Sequence, residues 1–353
     1  GVHLRILCEI GRDQSAGFCP AFYNRNMARP LDVCIRGGGI TGRTLALLLA
    51  RERLQVGLVA QETPRSADVR AYALNHTSRD LLESVRCWPT GNAATAVLEM
   101  KVHGDDGGQV DFRASDTGTS ALTWIVDVPA LESHLAQATL FQPQIEVLDS
   151  PQPATLTVVC EGKASRSREE FGVDFDVSPY SQLAIAARLT CEKPHDQVAR
   201  QWFFKDGILG VLPLDGPQGN SVAIVLSVED ACTKDWMDMD PSTFAQALEA
   251  KSHGTLGRMT LSGERASWPL QLAQARKWVG NAQGDAWALA GDAAHTVHPL
   301  SGQGLNLGLG DVGELASLIA RRDYWRSVAD EKMLRRYERA RKADVLLLGA
   351  STD

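Results

Sequence analysis

The amino-acid sequence predicts an α/β protein in which a doubly wound parallel sheet is combined with a second, mainly antiparallel sheet. Three observations predict this class. A β-α-β pattern occupies residues 31–60, a further buried strand that reaches a glycine lies at 286–295, and alternating segments fill most of 181–275. The length of 353 residues fits two domains, or one domain with a large insertion.

The β-α-β unit is the first element. LDVCIRGGG (31–39) is typical of a short buried strand that runs into glycines. ITGRTLALLLARERL (40–54) is typical of a helix with an apolar face, and QVGLVA (55–60) of a second buried strand. A strand, helix and strand within about thirty residues form the minimal piece of a doubly wound, Rossmann-like sheet.

The loop of this unit contains Gly37, Gly39 and Gly42 in the spacing GxGxxG. The first glycine permits a tight turn, the second lets a pyrophosphate approach the backbone, and the third allows the helix to pack closely on the strand. The helix N-terminus adds N–H donors and a partial positive charge. We interpret the loop as a dinucleotide site; the alternative is a glycine-rich turn that binds nothing.

The following region changes to antiparallel patterns. Residues 93–126 alternate around a Gly/Asp-rich turn and predict a hairpin, and 181–275 alternate again, interrupted by one helix at 242–252. A helix at 128–139, a buried strand at 154–162 and two final helices belong to the parallel part. We therefore assign a nucleotide-binding domain to residues 28–92, 127–180 and 276–353, and a substrate domain to 93–126 and 181–275.

Composition limits the classes of function. The chain is 44% apolar and 22% charged, as in globular proteins, and its net charge of -7 argues against nucleic acid as the main partner. Seven scattered cysteines without a CxxC pair indicate a reducing, cytoplasmic compartment and no zinc site. No apolar run is long enough for a membrane helix. Residues 1–27 show neither helix nor strand periodicity and no signal-peptide core, so we expect an extension outside the fold.

A glycine-rich segment follows the last buried strand. Gly291 and Asp292 end that strand, and HPLSGQGLNLGLGD (298–311) then places five glycines after a proline. Glycines remove side chains where a flat ligand touches the backbone, and a helix that starts at about Gly304–Asn306 directs N–H groups toward a ring that carries negative charge. Ordering such a segment is costly, and a tightly bound cofactor offsets that cost.

The segment GDAAHTVHPLSGQGLNLGLGD (291–311) resembles the aromatic-ring flavoprotein monooxygenases, specifically the hydroxylases of ubiquinone biosynthesis. RAYALNHTS (70–78) matches the family segment that carries a flavin-contacting arginine. The resemblance spans about Pro30 to Ala343. It implies FAD as the cofactor, bound between the two domains, and NAD(P)H as the reductant.

The resemblance also implies a set of cofactor-binding residues. Gly37, Gly39 and Gly42 would hold the FAD pyrophosphate, Arg70 would contact the flavin, and Asp292 next to Gly291 would bond the ribityl chain. The isoalloxazine ring would face Pro299 and the backbone of the segment made of Gly302, Gln303, Gly304, Leu305 and Asn306.

Several positions depart from the family pattern. An acidic residue that would hold the ribose at the end of the second strand is replaced by Ala60, although Gln61 and Glu62 follow. Glu161 replaces the aspartate of an Asp-Gly motif that continues to Arg168. Ser301 replaces a smaller residue, the segment 140–155 is short, and the chain stops in a late helix at Asp353. These departures leave a protein with weakened flavin binding or altered turnover as an alternative.

The implied reaction is hydroxylation of an aromatic ring, with a polyprenylated phenol as substrate. NAD(P)H reduces FAD, O2 adds, and a flavin hydroperoxide delivers oxygen to the ring, so no protein acid or base is named. One alternative is a flavin oxidoreductase that does not hydroxylate. Another is a non-catalytic accessory subunit of a biosynthetic complex, and peripheral membrane contact is a further possible partner interaction.

Three further groups of residues have a structural interpretation beside a functional one. His295 and His298 are read as loop-structuring residues rather than metal ligands, because no third ligand is evident. Trp202, Phe203 and Phe204 fit core packing better than an aromatic pocket. The charged run RRYERARKAD (335–344) fits a solvated helix face, with an acidic partner or a membrane surface as the alternative.

Overall fold

A computed structural model describes residues 30–60, 68–297 and 303–349 of the chain. The elements below belong to the compact unit Leu31–Asp353. Some predictions fall outside the described residues: the extension over 1–27 and the side chains of Gln61, Glu62, His298, Pro299, Ser301 and Gly302.

The elements alternate first and then turn mainly to strands. The strands are β1 Leu31–Arg36, β2 Val56–Val59, β3 Ala71–Leu74, β4 Ala94–Val97, β5 Glu99–His103, β6 Gln109–Arg113, β7 Thr123–Asp127, β8 Ile145–Leu148, β9 Ala154–Val159, β10 Phe175–Cys191, β11 Val198–Phe204, β12 Gly207–Pro213, β13 Ser221–Glu229, β14 Met259–Leu261, β15 Ala266–Ala275, β16 Val279–Ala282, β17 Asp285–Leu289 and β18 His295–Thr296. The helices are α1 Ile40–Arg51, α2 His76–Ser84, α3 Ala114–Thr117, α4 Val128–Leu140, α5 Arg166–Glu170, α6 Asp230–Asp238, α7 Pro241–Lys251, α8 Gly304–Ala320 and α9 Glu331–Gly349.

The first sheet is the predicted doubly wound sheet. Its strand order is β16-β17-β9-β1-β2-β8, and all neighbours are parallel except the β16–β17 pair at one edge. Strand β1 lies in the middle, and its Val33, Cys34 and Ile35 are fully buried, as expected for a strand covered by helices on both faces. Helices α1, α8 and α9 bury Leu45, Leu315 and Tyr337 in the same core.

The second sheet is the predicted antiparallel one. Its order is β18-β15-β10-β13-β12-β11-β5-β6, with β14 paired to β10 and a single parallel pair, β11–β5. The predicted hairpin is present as β5 and β6, joined by a turn in which the Gly104 N–H donates to the Gly108 carbonyl. One face of the sheet packs against α7 through Trp202, Leu226 and Phe244. The expectation of core packing is thus confirmed for Trp202.

Some elements differ from the sequence prediction. The prediction of one helix between 181 and 275 was wrong, because α6 precedes α7. Helix α6 is polar on average and fully buries only Thr233, so its sequence gives a weak helix signal. Strand β10 begins at Phe175 and crosses the domain boundary predicted after residue 180 without a break. A third sheet of order β3-β7-β4 was not anticipated. The domain boundaries stay predictions.

Candidate functional site

The glycine turn between β1 and α1 has the close contacts that the GxGxxG spacing predicts. Gly37 has a φ of +121°, and a Cβ there would lie 2.3 Å from the Cys160 carbonyl oxygen. A Cβ on Gly42 would lie 1.9 Å from the carbonyl oxygen of Gly37. A Cβ on Gly39, in contrast, would meet no atom within 4 Å. Two glycines are therefore required by packing, and the third leaves open space beside the backbone.

That open space lies at the N-terminus of α1. Gly39 is the N-cap residue, it has no capping side chain, and the first turn carries no acidic residue. The partial positive charge of the helix end is therefore not compensated by side chains of the helix itself. An anion such as a pyrophosphate fits this position.

A cavity of about 1260 Å³ begins at this turn. It is lined by the glycine turn, by the ends of the neighbouring strands, by the start of α8 and by the inner face of the second sheet. Ligand pockets usually measure about 300–1,000 Å³. The space is therefore large enough for a cofactor together with a further small molecule.

Asp292 lies in the wall of this cavity directly after β17. Its carboxylate makes no hydrogen bond or ion pair with any other described residue, although it is largely enclosed. Burial raises the pKa of Asp292, and the nearby charges of Lys163, His295 and Arg70 only partly oppose this. A carboxylate that faces a cavity without a protein partner is suited to accept hydrogen bonds from the hydroxyl groups of a ligand.

Arg70 also lines the cavity, at the start of β3. Its guanidinium donates to both carboxylate oxygens of Asp68, at 2.5 to 3.1 Å, and Asp68 raises the pKa of Arg70 through this bond. The side chain remains 38% exposed. Arg70 is thus held in a fixed position at the cavity and keeps its charge, and its contact with the flavin stays a prediction.

Helix α8 starts at Gly304, which confirms the predicted helix start. Gln303, Gly304, Leu305 and Asn306 line the cavity. The side chain of Asn306 binds to the opposite segment: its Oδ1 accepts hydrogen bonds from the Asn75 N–H at 3.0 Å and the Ser78 hydroxyl at 2.7 Å. Its Nδ2 donates to the Ala73 carbonyl at 2.8 Å. Asn306 therefore ties the start of α8 to β3 and α2.

Asp311 organises a buried ionic cluster behind the cavity. Its carboxylate accepts hydrogen bonds from the Gly291 N–H at 2.8 Å, from Arg341 Nε at 2.8 Å, and pairs with His295 Nε2 at 2.6 Å. Burial alone would raise the pKa of Asp311, but His295 and Arg341 outweigh it and lower the pKa. This cluster fixes the turn that carries Asp292, and it agrees with the reading of His295 as a structural residue.

Sequence reasoning missed this cluster as a unit. The sequence shows Asp311 only as the last residue of the glycine-rich segment 298–311, and Arg341 only within the charged run 335–344. The partners are 16 to 30 positions apart, so no local spacing reveals them. Within the described residues, no three His, Cys, Asp or Glu side chains are grouped as metal ligands would be.

Glu161, shortly after β9, occupies the position of the aspartate in the family motif. Its carboxylate accepts hydrogen bonds from the Ser165 hydroxyl at 2.8 Å, the Ser167 N–H at 3.0 Å and the Ser167 hydroxyl at 2.7 Å. Arg168, in the short helix α5, donates to the carbonyls of Lys163 and Ala293. The longer side chain thus closes its own loop and holds it against the Asp292 segment.

The second sheet contributes an apolar wall with mostly small residues. Ala199, Gly210, Ala223 and Ala186 occupy neighbouring strands on the cavity face. The same face of the sheet continues onto the β5–β6 hairpin, where Met100 lies opposite Phe112 and Val102 lies opposite Val110. Phe112 is 52% exposed and Val110 55%. An apolar surface, here called the apolar track and made of Met100, Val102, Val110, Phe112 and Phe203, therefore leads away from the cavity.

The residues present fit FAD. The glycine turn and the first turn of α1 would hold the pyrophosphate, Asp292 would accept from the ribityl hydroxyls, and Gln303 to Asn306 would lie beside the isoalloxazine ring. The acidic residue that would bond the adenosine ribose is replaced by Ala60. The Ala60 side chain is close to the glycine turn, since a Cβ on Gly38 would lie 2.4 Å from the Ala60 Cβ. Ligation of the cofactor by these particular residues stays a prediction.

These features define a dinucleotide-binding protein with a second sheet on the substrate side of the cavity. They are the doubly wound sheet, the uncompensated helix N-terminus at the glycine turn, and the cavity that the second sheet closes. The chain belongs to the FAD binding domain family, whose sequence profile matches residues 131–346. The predicted cofactor FAD is thereby confirmed.

Relatives and solved structures agree with this assignment. The chain is 29% identical to ubiquinone hydroxylase UbiL of Rhodospirillum rubrum, over 91% of this chain and 80% of the relative. It is 27% identical to 3-demethoxyubiquinol 3-hydroxylase of Escherichia coli, over 92% and 89% of the two chains. The structure of Pseudomonas aeruginosa PqsL in complex with 2-aminobenzoylacetate superposes with a TM-score of 0.75 at 20% identity, over 89% of this chain and 92% of that chain. The fold class and the resemblance to flavoprotein hydroxylases of the ubiquinone branch are confirmed.

Proposed function

We propose that the protein is an FAD-dependent monooxygenase that hydroxylates an aromatic ring bearing an apolar chain, in ubiquinone biosynthesis. NAD(P)H supplies the electrons; one atom of O2 enters the ring and the other leaves as water. The observation that carries the proposal is the single cavity that joins the glycine turn and Asp292 to the apolar wall of the second sheet. The naming of the relatives as ubiquinone hydroxylases supports the substrate class.

Bound FAD would supply the redox and oxygen chemistry, and the chain supplies position and polarity. Asp292, after β17, and the N-terminus of α1, after the glycine turn, would hold the cofactor at two points. The small residues of the sheet would leave room for a flat ring. The Asp311 cluster keeps the Asp292 turn in place. None of these roles requires a protein acid or base at the ring.

The test of the proposal is product formation by the purified holoprotein. Phenols with apolar chains are incubated with NADH or NADPH under isotopically labelled O2, and the products are analysed by mass spectrometry. Incorporation of one labelled oxygen per nicotinamide oxidised is expected. Nicotinamide oxidation without labelled product would favour a flavin oxidoreductase that does not hydroxylate, and a colourless protein that does not take up FAD would favour an accessory subunit.

The cavity wall provides a matched pair of variants. Gly210→Leu places a side chain on the cavity face, where the Cβ would lie at an ordinary contact distance of 3.7 Å from the Val225 carbonyl oxygen and would not displace the backbone. Gly108→Leu adds the same side chain on the exposed hairpin, where a Cβ meets nothing within 4 Å. The Gly210 variant is expected to keep FAD and lose hydroxylation, and the Gly108 variant to keep both.

The apolar track supports the presence of a chain on the substrate. Each buried methylene contributes about 0.8 kcal/mol, which is about fourfold in affinity. In a series of phenols with lengthening alkyl chains, KM should therefore fall with chain length, and Phe112→Ser should flatten this dependence. Phe141→Ser, which removes a phenyl group that is 84% exposed elsewhere on the surface, is the control and should leave the dependence unchanged.

The partners of the proposed enzyme follow from the same substrate. An aromatic molecule with a long apolar chain resides in a membrane or is passed on within a biosynthetic complex, so a peripheral contact with one of them is part of the proposal. No helix among the described residues is both long and apolar enough to cross a bilayer.

A further inference from the structure

The connection between α8 and α9 exposes two large aromatic side chains. The Arg326 N–H donates to the Asp323 carbonyl at 2.9 Å, which closes a turn with Tyr324 and Trp325 at its two central positions. Tyr324 is 91% exposed and Trp325 67% exposed, and their rings meet edge to face with centroids 4.9 Å apart. Central turn positions usually carry small polar residues or proline. Neither the fold nor the turn geometry accounts for this aromatic pair.

The turn is held in a fixed conformation. The Arg326 guanidinium bonds to Asp323 and to Asp330, both at 3.1 Å. Arg322 Nε donates to the carbonyl of Arg326 at 3.1 Å. Val328, two residues beyond, is 4% exposed and belongs to the core of the first sheet. The aromatic pair is therefore presented before any partner binds, and little ordering entropy is lost on binding.

The segment that contains the turn is cationic. Residues 321–342 contain nine basic and four acidic side chains, a net charge of +5 in a chain whose net charge is -7. Lys332, Arg336 and Arg339 follow each other at the i, i+4 and i+7 positions of α9 and share one exposed face. No carboxylate of the described residues lies within ion-pair distance of these three cations. Their charge is available to a partner.

We propose that Tyr324, Trp325, Lys332, Arg336 and Arg339, here called the interface patch, bind the surface of an anionic lipid bilayer. Tyrosine and tryptophan prefer the boundary between the acyl chains and the headgroups, because each has an apolar ring and a polar edge. Lysine and arginine next to them are attracted by anionic headgroups. An uncharged apolar partner would not require the cations, and a soluble anion would not require the exposed rings. None of these residues lines the cofactor cavity. The inference rests on the proposed function in that it assigns the peripheral contact to one surface, and its failure would leave the proposed reaction standing.

The experiment measures co-sedimentation of the full holoprotein with vesicles. One set consists of phosphatidylcholine alone and the other of phosphatidylcholine mixed equally with phosphatidylglycerol. Binding to the anionic vesicles is expected, and it should weaken as salt is added. Each basic residue near an anionic surface contributes about 1 kcal/mol, so Lys332→Gln with Arg336→Gln and Arg339→Gln should lower the partition coefficient by about 100-fold.

The aromatic pair is tested by Tyr324→Ser with Trp325→Ser, which should lower binding by at least about tenfold. The matched control is Leu140→Ser with Phe141→Ser. That pair ends α4 with exposures of 70% and 84%, but no charged residue lies between 138 and 144. All variants should keep their FAD spectrum and melting temperature, because the changed side chains are exposed.

Loss of binding in both patch variants, with wild-type binding in the control, supports the proposal. The proposal is overturned by a wild-type protein that stays in the supernatant, by equal binding to both kinds of vesicle, or by patch variants that bind as the control does. If the patch binds another protein instead of lipid, the wild-type protein would stay in the supernatant.

Discussion

Asp292→Asn is expected to change cofactor affinity and apoprotein stability in opposite directions. The asparagine side chain keeps the shape of the aspartate and removes its charge. FAD affinity should fall, because a charge-assisted hydrogen bond to a ligand hydroxyl is lost. Such a bond contributes about 1.5–3 kcal/mol, which corresponds to about a ten- to hundred-fold rise in the Kd.

The apoprotein should become more stable. Burial raises the pKa of Asp292 in the folded state, with no hydrogen bond from the described residues to compensate. Between the unfolded pKa of about 3.9 and the higher folded pKa, the native state binds more protons than the unfolded state, so stability falls as the pH rises through this window. At neutral pH the ionised carboxylate therefore costs stability. Asparagine removes that cost, as expected where function requires a destabilising group.

Two measurements on each variant test this reasoning: titration of the apoprotein with FAD and thermal unfolding of the apoprotein at neutral pH. Asp285→Asn, an exposed aspartate at the other end of β17, is the control and should change neither quantity. If Asp292→Asn binds FAD like the wild type, the carboxylate does not face the ribityl chain. If affinity and apoprotein stability fall together, Asp292 has an ordinary structural role and the reasoning is wrong.

Three other substitutions test the remaining parts of the site. Gly39→Ala should fold normally and bind FAD at least about tenfold more weakly. Gly42→Ala should lower the free energy of unfolding by about 1–3 kcal/mol, because its Cβ would overlap the Gly37 carbonyl. Urea unfolding and FAD titration of both variants distinguish the two roles, and equal losses of stability would contradict them. Asp311→Asn should cost about 3–5 kcal/mol in urea unfolding because Arg341 loses its buried partner; its effect should fade in acid, since a carboxyl with a lowered folded pKa stabilises above about pH 3.9 and stops doing so as the pH falls through the folded pKa. Ala60→Glu should tighten FAD binding by about 1 kcal/mol, or about fivefold by calorimetric titration, and unchanged or weaker binding would mean that the ribose does not lie beside this residue.

The parts of the fold that repeat locally could be predicted from the sequence. The β-α-β unit and the start of α8 were found because buried strands, amphipathic helices and glycine turns leave a pattern within about ten residues. Helix α2 could also have been found, since Asn75 caps it and accepts the Ser78 N–H at 2.9 Å, the spacing of a helix N-terminus. The three-stranded sheet of β3, β7 and β4 could not, because its pairings join short segments from Val97↔Thr123 to Ala71↔Asp127, which are 26 to 56 positions apart.

Only part of the candidate site could be predicted from the sequence. Gly37 and Gly42 are required by close backbone contacts and Gly39 leaves space at the helix N-terminus, so the spacing of the three glycines alone indicates the turn. The environment of Asp292 could not be read from the sequence, because it depends on Arg70 and Lys163 from other strand ends. The apolar track depends on the register of β5 against β6, which places Met100 opposite Phe112. A slip by one residue would move this whole face to the other side of the sheet.

The departures from the family pattern can now be weighed against the idea of a non-catalytic subunit. Glu161 makes three hydrogen bonds within its loop, and Arg168 connects that loop to Ala293, so this substitution leaves a fully bonded structure beside Asp292. The short segment 140–155 still supplies β8, which pairs in register with β2. Only Ala60 removes a group that would touch the cofactor, and it does so at the adenosine end. If the ribose lies beside Ala60, loss of that one acceptor would weaken affinity by about fivefold, and the change would be remote from the described residues Gln303 to Asn306 that are predicted to lie at the flavin. The structure therefore favours an active flavoenzyme with reduced cofactor affinity over a degenerate one.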